Sequence, residues 1–136
     1  MAQLELPLTD AKVEFVAVRF PDMRREVIEA LQALADPEYQ RRVWVDRIYP
    51  QPGFYDDLTH NINVLYDDTA VAEDPQGQIG LTLENTEEAA AMERLTAVLG
   101  PLLDSLPTKI DDGAVTSLPE WDEVVRAARE AVDIIH

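Results

Sequence analysis

Few side chains in this sequence carry the chemistry of a reactive or ligating centre. There is no cysteine, and the two histidines are His60 and His136. Covalent catalysis needs a nucleophile held by a base, so a Ser-His-acid arrangement would have to use His60 or the last residue. His60 follows Asp57 by three positions and Asp56 by four, a spacing at which helical residues can face one metal ion. A metal enzyme needs a third and usually a fourth ligand. Asp67 or Asp68 would supply one only if the fold joined the two ends of that segment, which spacing does not show. DDLTH shares its paired aspartates with magnesium-diphosphate sites, yet the later aspartate is missing and the chain is too short for the large apolar chamber such sites need. The calcium loop, the phosphate-cradling P-loop and the dinucleotide fingerprint do not occur, and the glycines stand scattered at 53, 77, 80, 100 and 113. The expectation is an exposed polar His60, with no catalytic residue, no metal ligand set and no cofactor.

The carboxylates are the stronger signal. The 136 residues carry 27 Asp and Glu against 11 Lys and Arg, a formal net charge of −16. Residues 1–50 hold nine acids and seven bases, whereas residues 51–136 hold eighteen acids and four bases, so −14 of the total falls after residue 50. The later carboxylates come in pairs: Asp56-Asp57, Asp67-Asp68, Glu73-Asp74, Glu87-Glu88 and Asp111-Asp112. The bases Arg24, Arg25, Arg41, Arg42 and Arg47 cluster early. Such a surface repels nucleic acid and anionic bilayers and attracts cationic partners. Solubility is the ordinary use of charged runs, and docking to a basic partner is the functional one.

The aromatic residues Tyr39, Trp44, Tyr49, Phe54, Tyr55 and Tyr66 concentrate around the loop IYPQPGFYDD. Most belong to a core, but Tyr and Trp also anchor interfaces, and here they lie beside carboxylates. Protein recognition suits that combination better than catalysis.

The elements that must position these residues can be read from periodicity. A chain of this length with 46% hydrophobic residues fills one domain core. Residues 1–20 read as an extended or flexible N-terminal segment, and 21–136 as one helical domain. Met23, Val27, Leu31 and Leu34 define an amphipathic helix that starts near Pro21-Asp22, stops at Asp36-Pro37 and leaves Arg24, Arg25, Glu29 and Gln32 outward. Asp36 and Pro37 then begin a second helix running to about Trp44. Residues 43–49 and 58–66 are open between helix and strand. Asn85-Thr86-Glu87-Glu88 starts a long helix with the stripe Met92, Leu95, Leu99, Leu102 and Leu106, kinked at Gly100-Pro101. Ser117-Leu-Pro-Glu120 starts the last helix, striped by Trp121, Val124, Val125, Ala128, Val132 and Ile135. The fold expected is an all-α, single-domain bundle of about five helices.

No stretch approaches the roughly 18 apolar residues of a membrane span, and no leader pattern opens the chain. Without disulfides, stability rests on packing, as in a reducing compartment, so the cytoplasm is the expected location.

The segments FPDMRREVIEALQALADPEYQRRVW, FYDDLTHNINVLYDDT, IGLTLENTEEA and SLPEWDEVVRAAREA resemble a family of small acidic bacterial proteins, some of them similar to immunity proteins of contact-dependent and polymorphic toxin systems. The resemblance covers roughly residues 20 to 135 and is carried by scaffold signatures: DPEYQRRVW, YDDT and SLPEW. It implies an all-helical domain that neutralises a cognate toxin by direct binding, and it transfers no catalytic residue.

Together these readings give a non-catalytic binding protein for a basic protein partner, most specifically an immunity protein. The contact residues expected are Tyr55, Asp56, Asp57, Tyr66, Asp67, Asp68, Glu84, Glu87 and Glu88. Nucleic acid and membrane are excluded as partners, and monomer and homodimer stay open. The alternatives are a metal-binding or hydrolytic protein using Asp56, Asp57 and His60, and an oligomeric scaffold.

Overall fold

The computed structural model describes residues 18–136, so the first seventeen positions of the N-terminal segment lie outside the described residues. Six helices follow one another: α1 Pro21–Leu34, α2 Pro37–Tyr39, α3 Leu58–Asn63, α4 Thr86–Ser105, α5 Asp112–Thr116 and α6 Trp121–Ile134. α2 and α3 each widen without a break into a π-helical run, Gln40–Val45 and Val64–Asp68. Both segments that the sequence left open between helix and strand therefore begin as helix. Among the described residues no strand forms; the one ladder-like contact is an isolated bridge between Ile79 and Leu83.

Local chemistry explains most of the starts. The Asp36 carboxylate accepts from the Tyr39 amide, the Asp57 carboxylate from the His60 amide and the Asn85 side chain from the Glu88 amide, each three residues on. Two helices start without a side-chain cap. α1 begins with Pro21 itself, after an N-cap Phe20 that contributes no side-chain bond. Its first turn gains from proline's fixed φ, not from an aspartate cap. α6 likewise begins without a side-chain cap, because the Ser117 hydroxyl turns back to donate to the Gly113 carbonyl at the end of α5.

α4 and α6 pack along their apolar stripes, and α1 packs on α6. Val27, Leu31, Leu34, Met92, Leu95, Leu99, Trp121, Val124 and Ile135 are all buried there. Trp121 meets Trp44 edge to face, with ring centroids 6.4 Å apart. Gln40, 1% exposed, joins three elements: its amide donates to the Ala33 and Leu34 carbonyls and its oxygen accepts from the Trp121 indole. A buried amide with every polar atom partnered fixes the angle between α1 and α2.

One expectation about α1 changes. Arg24 does not face outward. It is 8% exposed, and its guanidinium forks onto Glu88 at 2.8 and 2.9 Å while also donating to the Thr82 and His136 carbonyls. Pro101 lies inside a helix that runs on to Ser105. Proline removes the donor for the Ala97 carbonyl, but Ala97 and Pro101 are both exposed, so that carbonyl reaches water. Gly100 has open space where a Cβ would stand. Gly100→Ala is therefore expected to stabilise the fold by about 0.5–1 kcal/mol, read as a higher urea midpoint at unchanged m-value.

Candidate functional site

α1 and the α3 segment lie side by side, and the loop from Pro50 to Asp56 closes one end of the space between them. The result is a cleft of about 780 Å³. Helical spacing decides what lines it. From α1 and its end come Glu26, Glu29, Ala30, Ala33 and Asp36; from the α3 segment come His60, Asn61, Val64 and Asp68. Ala30 and Ala33 keep the floor low, while the acids three and four positions away stand at its edges. Glu26 to Ala33 spans ~10 Å along the helix axis. Pro50, Phe54 and Tyr55 form an apolar, largely aromatic end wall, and Gln32 and Tyr39 complete the lining.

The deepest carboxylate is Asp56, 7% exposed. The Tyr39 hydroxyl (2.7 Å) and the Trp44 indole (2.9 Å) donate to one of its oxygens, and the Asn61 amide (2.9 Å) donates to the other. Burial and the Asp56 carboxylate push the Tyr39 hydroxyl well above the usual tyrosine range, so it stays a donor at all physiological pH. Asp56 is thus an internal organiser that joins α2 to α3. Asp57, half-buried, caps α3 and also accepts from the Tyr55 hydroxyl, a contact that raises the pKa of that hydroxyl.

The remaining carboxylates of the cleft differ. Among the described residues Glu26, Glu29 and Asp68 have no Lys or Arg within ion-pair distance. No Lys or Arg lines the cleft, against five Asp and Glu. Unneutralised like charges around a concave, partly apolar wall focus a negative potential into it.

The contact set read from the sequence is redistributed by these positions. Tyr55, Asp56 and Asp68 line the cleft, and Asp57 adjoins it. Asp56 and Glu88, expected on the surface, are buried, because each is consumed by internal donors: the Tyr39–Trp44–Asn61 set for Asp56, and Arg24 together with the Glu84 amide for Glu88. Glu84 lies 3.6 Å from Arg24, and Glu87 is exposed in the first turn of α4; neither lines the cleft. Asp67 is exposed beside the cleft residue Asp68, and the Tyr66 hydroxyl is raised by burial and by Asp104. Sequence reasoning missed Glu26, Glu29, Asp36, Phe54 and the role of Tyr39. The signal that could have found the first three is a run of acids on α1 interleaved with Ala30 and Ala33.

Nor do the residues form a metal centre of the sort that Asp56, Asp57 and His60 suggested. Asp57 meets the backbone amide of His60, Asp56 points inward, and no three His, Asp or Glu side chains converge among the described residues.

Asp112 closes the far side of this region by accepting from the Leu58 amide at 3.0 Å. Burial first, then the charges of Asp57 and Asp111, raise its pKa above the ordinary carboxylate value, against the lowering effect of the Leu58 bond and of Arg47. A folded-state pKa above the unfolded one means that the folded state holds the proton more tightly, so this group gains stability as pH falls through its raised pKa and costs stability above it. Asp112→Asn keeps an oxygen for Leu58 and removes the charge. It is expected to unfold at a higher urea concentration than the parent at pH 7, with the gap narrowing toward pH 4.

The described residues form an all-helical domain with an acidic cleft that has Phe54 and Tyr55 in its wall. The chain belongs to the family described as Domain of unknown function (DUF7945), which matches residues 18–136. No curated protein and no solved structure matches it. Among the described residues no helix is long and apolar enough to cross a membrane.

Proposed function

We propose that this protein is a non-catalytic binding protein for a basic protein partner, received at the cleft between α1 and α3. In its most specific form it is a bacterial, cytoplasmic immunity protein that occludes a cationic toxin domain. The observation that carries the reading is the cleft lining: five carboxylates, none in an ion pair and only Asp36 and Asp56 holding hydrogen-bond donors, beside the exposed Tyr55 ring and without a single Lys or Arg. Charge of this kind accelerates encounter with a basic partner, while the aromatic wall supplies the desolvated contact that affinity requires.

The test is co-expression with the product of the gene adjacent to the one encoding this chain. A stable complex whose association rate falls steeply between 50 and 300 mM salt, together with protection of the host from that product, is the expected result. No complex and no protection would overturn the immunity reading.

A further inference from the structure

The cleft is more particular than an acidic surface, and its details select the side chain that enters it. Asp56 has both oxygens occupied by Tyr39, Trp44 and Asn61, so it contributes negative potential from beneath but no open hydrogen-bonding edge. The open edges belong to Glu26, Glu29 and Asp68 on the two helical walls. Phe54 and Tyr55 line the same cleft, and Tyr49 packs on both, with Tyr49–Phe54 centroids 6.1 Å apart and Tyr49–Tyr55 centroids 5.9 Å apart. This mutual packing holds Tyr55 in place although it is 57% exposed. Of the rings that line the cleft, Tyr39 already has the Arg42 guanidinium 5.9 Å from its centroid and Phe54 is half-buried, so the ring most open to an incoming group is that of Tyr55.

An exposed aromatic ring in the same cleft as unpartnered carboxylates suits a planar, weakly hydrated cation with several donors in one plane. A guanidinium has that shape; an ammonium is compact and strongly hydrated, and gains less from a ring. We propose that the cleft is an arginine-anchor site: one arginine side chain of the basic partner stacks on Tyr55 and donates to the carboxylates of Glu26, Glu29 or Asp68. The proposal rests on the cleft being the docking site and names the group that fills it.

The probes are two short peptides with blocked ends, Gly-Arg-Gly-Arg-Gly and its lysine counterpart, titrated into the isotopically labelled protein and followed by amide chemical shifts. The expected result is shifts confined to residues of the cleft, with the arginine peptide at least threefold tighter. Tyr55→Ala should weaken the arginine peptide about two- to fivefold, the amount expected of an exposed cation–π contact, and bring it level with lysine. Tyr55→Phe keeps the ring, removes the bond to Asp57, and should retain the preference. Equal affinity for the two peptides, or shifts spread over all acidic surfaces, would overturn the arginine anchor. If that happened while the salt-sensitive complex with the basic partner survived, the anchor would fail and the binding function would stand.

Discussion

Glu88→Ala is expected to cost about 3 kcal/mol of stability, because it strips the buried Arg24 guanidinium of its forked partner and leaves only the half-buried Glu84 carboxylate 3.6 Å away. The position allows little relief. Arg24 is 8% exposed and Glu88 3% exposed, and the same guanidinium is held by the Thr82 and His136 carbonyls, so it cannot swing to water without releasing the loop before α4 and the C-terminus. Glu88 also accepts from the Glu84 amide, which would lose its partner. An arginine has no route to neutrality when its partner is removed, because a guanidinium stays protonated at all physiological pH. In thermal unfolding the loss should appear as a fall in Tm of roughly 10 °C or more. The double variant Arg24→Met, Glu88→Leu should recover part of it, since two apolar side chains can fill the space of an ion pair. A loss below about 1 kcal/mol for Glu88→Ala would show that the pair is not desolvated in solution.

The second large effect is expected at Asp56. Asp56→Ala removes the acceptor for the buried Trp44 indole and the half-buried Tyr39 hydroxyl, and one of the two acceptors of the buried Asn61 amide, which keeps the Asp57 carbonyl. A stranded buried donor costs ~1–3 kcal/mol, so a total of roughly 2–4 kcal/mol follows if Tyr39 finds water, Trp44 is stranded and Asn61 loses one of its two bonds. Asp56→Asn, which keeps one acceptor oxygen, should fall between the parent and the alanine variant. The change should also be visible optically: with its indole bond gone, Trp44 loses the fixed setting against Trp121, and near-ultraviolet dichroism should drop. Stability within about 1 kcal/mol of the parent would mean that the three donors are satisfied without Asp56.

These two residues also mark where the sequence stopped being informative. Periodicity located the long helices because each buries one stripe: Met92, Leu95, Leu99 and Leu102 in α4, Trp121, Val124, Val125 and Ala128 in α6. Asp36 and Asn85 were legible as helix starts because capping is local, three residues away. Arg24, Asp56 and Glu88 were not, because their partners lie far along the chain, 64 residues apart for Arg24 and Glu88. A carboxylate destined for a buried guanidinium looks, in one dimension, like any carboxylate on a helical face. The cleft was half legible. Tyr55, Asp57 and Asp68 belong to the acidic, aromatic stretch that drew attention, whereas Glu26, Glu29 and Asp36 sit in the nearly neutral first fifty residues, where the charge count gave no reason to look. Segmental charge identified one wall of the site, and tertiary packing supplied the other.

The central claim is that the acidity of this protein acts at one place. Its most direct test compares two triple reversals of equal net charge, each against the same basic partner by stopped-flow association. One carries Glu26→Lys, Glu29→Lys and Asp68→Lys in the cleft; the other carries Glu93→Lys, Glu123→Lys and Asp133→Lys on the exposed faces of α4 and α6. A docking cleft predicts association slowed by at least tenfold in the first variant and no more than two- to threefold in the second, with the salt dependence flattened only in the first. Equal slowing in both would contradict it, and would return the charge to a property of the whole surface.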